Sequence, residues 1–143
     1  MLHAAARFVA AIGFLDHITP TLISLHWLPV RQRITYKLCT MKHSVFYDQA
    51  PSYISDIVTP VTHLPGRTHL HLAKNGDYNI PRVSLVSGFG RRSFSVSGPD
   101  AWNSLPRQLR GIAVASTFKR HLNSELFFQA YGVSTIASTV ADP

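Results

Sequence analysis

Between Pro29 and Val45 the apolar residues Val30, Ile34, Leu38, Met41 and Val45 recur at intervals of four, four, three and four. At about 100° per residue this spacing draws one narrow stripe along an α-helix and fits no face of a strand. Pro29 suits the first helical position, where its missing N–H would have had no partner in any case. Arg33 and Lys37 flank the stripe on one side, Arg31 and Lys42 on the other. Their aliphatic stems can cover its edges while the charged heads reach water or phosphate. Cys39 falls on the face away from the stripe, with His43 one turn later. The expectation is a helix that buries the stripe and displays four cations.

Other elements are read around it. Met1 to Leu15 has Arg7 ahead of a short apolar run. Asp16-His17-Ile18-Thr19-Pro20 follows where a leader would carry small residues, so the segment reads as a helix burying most of its surface rather than as a signal peptide. Leu25-His26-Trp27-Leu28 forms an apolar clamp before Pro29, and Pro51 opens a second short helix that ends at Thr59-Pro60. Arg67 to Ala73 alternates as a half-exposed strand does, Asn75-Gly76 signals a tight turn, and Tyr78 to Val83 supplies a returning edge strand containing Pro81. Ser93 to Ser97 alternates again, Gly98-Pro99 reads as a break, and Trp102-Asn103-Ser104-Leu105-Pro106 as a compact turn. A last helix starts near Ser116 and carries Phe118, Leu122 and Leu126. The fold class expected is α+β: N-terminal helices, a small central β-hairpin region and a C-terminal helix, in a single domain over 1–131 with a loose tail at 132–143.

Charge narrows the partners. The 143 residues hold 14 Lys and Arg against 7 Asp and Glu, a net charge of +7 that favours nucleic acid or another anionic surface. Arginine outnumbers lysine ten to four, which suits bidentate phosphate contacts. Cations gather without acids at 31–42 and 107–120, and Arg91-Arg92 stands between these stretches in a glycine-flanked loop. The nucleic-acid-contacting set is therefore Arg31, Arg33, Lys37, Lys42, Arg91, Arg92 and Arg107. No apolar stretch reaches the roughly 18 residues that span a bilayer, and no membrane partner is expected.

Catalytic and metal chemistry find little support. The carboxylates are scattered along the chain, and a single cysteine, Cys39, allows neither an internal disulfide nor a multi-Cys zinc site. His69-x-His71 with Asp77 has the outline of a metal site, but an exposed strand face explains it more simply. Cys39 and His43 would need a third, orienting group to act as a nucleophilic pair and read instead as a plain thiol beside a polar imidazole. Gly88-Phe89-Gly90 lacks the third glycine of a dinucleotide fingerprint. Trp27, Tyr36, Phe94 and Trp102 are aromatic faces on which bases could stack, yet their apolar flanks read as core. No catalytic residue, metal or cofactor is assigned.

The order of several blocks carries a resemblance. These are Ile18-Thr19-Pro20, Ser24-Leu25-His26-Trp27-Leu28-Pro29-Val30-Arg31-Gln32-Arg33-Ile34, Tyr36-Lys37-Leu38 and Ala50-Pro51-Ser52-Tyr53-Ile54-Ser55-Asp56. Arg92-Ser93-Phe94-Ser95-Val96, Pro99, Trp102-Asn103-Ser104-Leu105-Pro106 and Ser116-Thr117-Phe118-Lys119 follow. Together they are similar to the extreme C-terminal region of the reverse-transcriptase polyprotein of non-LTR, LINE-type, jockey-like retrotransposons, over residues 2 to 131. Ala4-Ala5-Ala6-Arg7 looks like the stretch just past the polymerase thumb in that family. The family's catalytic Asp-Asp pair occurs nowhere here, the endonuclease region is absent, and the Gly-Leu of its Gly-Leu-Ala-Pro is replaced by Asp48-Gln49.

The resemblance implies a non-catalytic C-terminal fragment of an RNA-directed DNA polymerase polyprotein. Such a fragment would assist nonspecific, electrostatic RNA or DNA binding beside the upstream polymerase domain, inside the cell, in the nucleus or in a cytoplasmic ribonucleoprotein. The alternatives are a structural module that docks its apolar N-terminal helix on that polymerase, and a functionless remnant of a degraded element. An independent small enzyme is the reading with least support, since no acid/base or nucleophile set is found.

Overall fold

A computed structural model describes residues 2–63, 76–82 and 90–133. Its elements are α1 (Leu2–Ala10), α2 (Thr19–Ser24), α3 (Val30–Phe46), α4 (Ser52–Ser55), 3-10 turns at Val61–His63 and Gly90–Arg92, α5 (Phe94–Asn103), α6 (Arg107–Arg110) and α7 (Ala115–Tyr131). Of the described residues 64% are helical and 2% extended. The chain divides into two compact units, Met1–Ile34 with Leu122–Pro143, and Thr35–His121.

Three helices end the same way. Ala11, His26 and Asp48 take left-handed φ angles of 50°, 52° and 53°. In each case the next residue's N–H bonds back to the carbonyl five residues earlier: Ile12 to Arg7 at 3.2 Å, Trp27 to Leu22 at 2.9 Å and Gln49 to Ser44 at 2.7 Å. This is the Schellman closure, which satisfies carbonyls the helix leaves open and normally places glycine at the left-handed residue. A residue with a Cβ costs about 1 kcal/mol more there.

In the first unit, Arg7 organises the loop after α1. Its guanidinium donates to the carbonyl of Gly13 and, at 2.8 Å, to that of Asp16, while Asp16 Oδ2 accepts from Gly13 N at 2.7 Å. The same guanidinium lies 5.7 Å from the Phe14 ring centre. Ala6, Leu22, Leu28, Leu122, Leu126 and Phe127 are buried in this unit. His26 stacks on Phe127 at 5.6 Å, and the Tyr131 hydroxyl donates to the Trp27 carbonyl at 2.8 Å. The helix expected over 1–15 stops at Ala10, and Phe8, Val9, Phe14 and Leu15 are exposed rather than packed.

The second unit is built around Trp102, fully buried at the end of α5. Phe46, Phe118 and His43 surround its ring at 5.3, 6.0 and 6.4 Å, and His43 stacks on Phe118 at 4.2 Å. The segment from Gly76 to Asn79 is stapled against this cluster. The Trp102 indole N–H donates to Gly76 O at 3.2 Å; Asn103 Oδ1 accepts from Tyr78 N at 2.9 Å, and its Nδ2 donates to Tyr78 O at 2.8 Å. Val61 N donates to Asp77 O at 3.0 Å and Asn79 N to Thr59 O at 2.9 Å. Gly76 has φ 67°, and a Cβ there would sit 2.8 Å from the Phe46 ring, so only glycine fits.

Two expectations are corrected and one is left without support. The hairpin is not shown: 67–73 lies outside the described residues, and of the returning strand only Tyr78 makes an antiparallel bridge, to Pro60. Ser93 to Ser97 is not a strand, because α5 runs through it and through Gly98-Pro99. Ser93 O accepts from Val96 N at 3.1 Å, Ser97 N at 2.9 Å and Ser97 Oγ at 2.9 Å. Proline's fixed φ is itself helical, and burial of Val96, Gly98, Pro99 and Trp102 along α5 outweighs the lost N–H.

The second correction is to the buried face of α3. Val30, Ile34 and Met41 are exposed, while Cys39, Lys42, His43 and Val45 are buried. Residues 39, 42, 43 and 46 also form a helical stripe, disguised because Lys and His count as polar. The aromatic cluster fills that side. Of the loose tail expected at 132–143, residues 134–143 lie outside the described residues, as do His69, His71, Gly88 and Phe89.

Candidate nucleic-acid interface

Six of the seven proposed contact residues are on the surface. Arg31 and Arg33 are exposed on the first turn of α3, which belongs to the first unit, and Lys37 is exposed on the same helix within the second. Arg91 and Arg92 are exposed side by side in the 3-10 turn Gly90–Arg92, which Ser93 closes by donating its hydroxyl to Gly90 O at 2.7 Å. Arg107 is exposed on the first turn of α6, just after Pro106. Among the described residues, Arg33, Lys37, Arg91, Arg92 and Arg107 have no carboxylate partner. A cation held open in this way keeps its charge for a phosphate and releases counterions when it meets one.

Lys42 is the exception and a correction to the set. Its side chain is 0% exposed, its Nζ has no hydrogen-bond partner, and the ammonium lies over the Tyr78 ring 2.7 Å from its centre. Burial pulls its pKa from 10.5 down to about 7. A polyanion cannot reach it.

Arg110, in the basic stretch 107–120, is likewise withdrawn into an ion pair with Asp77, both side chains nine-tenths buried. The Tyr47 hydroxyl donates to the Arg110 carbonyl at 3.0 Å. Asp77, read in the sequence beside His69 and His71, therefore serves the fold. Among the described residues no group of three or more His, Cys, Asp or Glu is placed to hold a metal ion.

Cys39 is buried, and burial pushes its thiol up to about 12, far from the thiolate a nucleophile needs. His43 Nε2–H donates to Ile112 O at 2.8 Å, which fixes the imidazole as a core group. Of the candidate stacking aromatics, Trp102 is core, and Trp27, Tyr36 and Phe94 are half-buried. No helix among the described residues is long and apolar enough to cross a membrane.

No family model, curated protein or solved structure matches this chain.

Proposed function

We propose that this chain is a non-catalytic C-terminal segment of a retrotransposon reverse-transcriptase polyprotein that grips RNA or DNA electrostatically beside the polymerase. The observation that carries the reading is the set of exposed cations that have no carboxylate partner among the described residues, Arg33, Lys37, Arg91, Arg92 and Arg107, on a chain of net charge +7. Arg31 adds a further exposed guanidinium. The ordered blocks that resemble the family supply the context. Contacts of this kind position a backbone and read no sequence, so binding is nonspecific.

RNA affinity measured against salt tests the reading. Affinity should fall steeply as salt rises, with the slope of log K against log salt reduced by roughly 1 for each cation removed. Arg33→Glu with Lys37→Glu, and Arg91→Glu with Arg92→Glu, should each weaken binding at least tenfold, while Lys42→Met leaves it unchanged. A flat salt response overturns the proposal.

A second reading, a module that docks on the polymerase, is favoured by the exposed Phe8, Val9, Phe14 and Leu15. Under it, charge reversal leaves RNA binding unaltered and a chain extended upstream is markedly more stable.

A further inference from the structure

Phe94 opens α5 directly after Arg91, Arg92 and Ser93. Its ring lies across Gly98, one turn later: a Cβ on that glycine would sit 2.9 Å from one ring carbon and 3.0 Å from the next. Glycine inside a helix is costly, and here its missing Cβ lets the ring lie down against buried backbone. The Phe94 side chain is half-buried, and among the described residues no second ring and no cation lies over it. That sets it apart from Phe46, Tyr78, Trp102 and Phe118, which use their faces on one another.

Two guanidiniums stand close by. Ser93 holds the Gly90–Arg92 turn to the head of α5, its hydroxyl donating to Gly90 O at 2.7 Å and its N–H to the same oxygen at 3.3 Å. Two peptide bonds separate Arg92 from Phe94, so their Cα atoms are no more than about 7 Å apart. Arg91 and Arg92 are exposed and lack carboxylate partners among the described residues. An aromatic face and phosphate-binding cations within one short segment are the parts from which sequence-tolerant single-strand sites are made. A duplex can use only the cations, because its bases stack on each other and hide their faces.

We propose that Phe94, Arg91 and Arg92 form a single-strand subsite, in which an unpaired base stacks on the outer face of Phe94 and the adjoining phosphates pair with the two arginines. The subsite rests on the nucleic-acid reading above and narrows its substrate class to unpaired RNA or DNA. Gly98 is a positioning residue that keeps the ring flat.

Fluorescence anisotropy on the full chain at low salt tests it, with labelled oligoadenylate of about 12 nucleotides, the matching oligodeoxyadenylate and an RNA duplex of the same length as probes. The single strands should bind at least fivefold tighter than the duplex, although the duplex carries more charge. Tighter binding of one strand identifies RNA or DNA as the source. Phe94→Leu keeps an apolar contact on Gly98 and removes the aromatic face, so single-strand affinity should fall at least fivefold while duplex affinity holds. Phe94→Trp should bind the single strand at least as tightly as the wild type, and its added indole emission should be quenched by the single strand and not by the duplex. Should Phe94→Leu lose duplex binding as well, the quenching in Phe94→Trp decides. Duplex binding as tight as single-strand binding, full single-strand affinity in Phe94→Leu, or unquenched emission in Phe94→Trp would overturn the subsite and leave the electrostatic reading standing. A wild type that binds none of the probes fails that reading, and the subsite with it.

Discussion

The two units use polar groups to hold irregular chain in different ways. In the second, Asn103 and the Trp102 indole N–H fasten Gly76 and Tyr78, and the fastening groups stand on the same α5 that buries Trp102. In the first, Arg7 and Asp16 close the loop after α1 with a comparable number of hydrogen bonds, yet the loop presents Phe14 and Leu15 at 89% and 94% exposure. The contrast separates order from stability. A hydrogen bond made in water exchanges one partner for another and contributes little, whereas the same bond beside a buried indole leaves an orphaned polar group when it is broken. The second unit's geometry is therefore cooperative with its core, and the first unit's loop is held locally.

The largest expected effect follows from that difference. Trp102→Ala removes the ring that Phe46, His43 and Phe118 surround and also the donor to Gly76 O. Urea denaturation should show a loss of about 3–5 kcal/mol, as for other buried aromatic truncations. A loss under about 1 kcal/mol would mean that the staple and the core are not coupled.

Lys42 comes next, and its effect has the opposite sign. Burial holds this lysine at a pKa of about 7 in the folded state, against its ordinary 10.5. Between those values the unfolded chain binds a proton that the folded chain has released, so stability rises with pH across that window. Below about pH 7 both states are protonated, and the folded state carries the full cost of a buried, unpartnered ammonium. The raised pKa of Tyr78 works against folding above about pH 10, where the unfolded phenol ionises first. From pH 7 to 9 the wild type should gain about 2 kcal/mol. Lys42→Met should be more stable by about 1–3 kcal/mol at pH 6 and lose most of the pH dependence. A wild type whose stability is flat over that range would show that Nζ is solvated.

How far the sequence reveals this molecule follows the same division. The helices at 30–46 and 115–131 were legible from apolar spacing, and the short helix after Pro51 from its proline. Which face of α3 is buried was not. Val30, Ile34, Leu38, Met41 and Val45 together read as more apolar than 39, 42, 43 and 46, yet it is His43 and Phe46 that meet Trp102 and Phe118. The same error put Lys42 among the phosphate contacts. For α5, the Phe94 and Val96 alternation and the Gly98-Pro99 pair imitated a strand and a break, because local pattern carries no information about what Trp102 packs against. Arg31, Arg33, Lys37, Arg91, Arg92 and Arg107 are exposed as their charge suggests, since an unpaired charge is costly to bury, but Lys42 and Arg110 show that charge alone does not keep a side chain outside.

The smallest effect belongs to the first unit and tests the comparison from its other side. Phe14→Ser with Leu15→Ser alters two large apolar side chains while leaving the bonds from Arg7 to the carbonyls of Gly13 and Asp16 in place. Because these side chains already face water, the folded state has little burial to lose, and stability should change by no more than about 0.5 kcal/mol. Binding of a hydrophobic dye to the native protein should fall in the same variant, since Phe14 and Leu15 contribute strongly to the unit's exposed apolar surface. A loss above about 1 kcal/mol would show that the loop is packed in solution, and the contrast drawn between the two units would then fail at its weaker end.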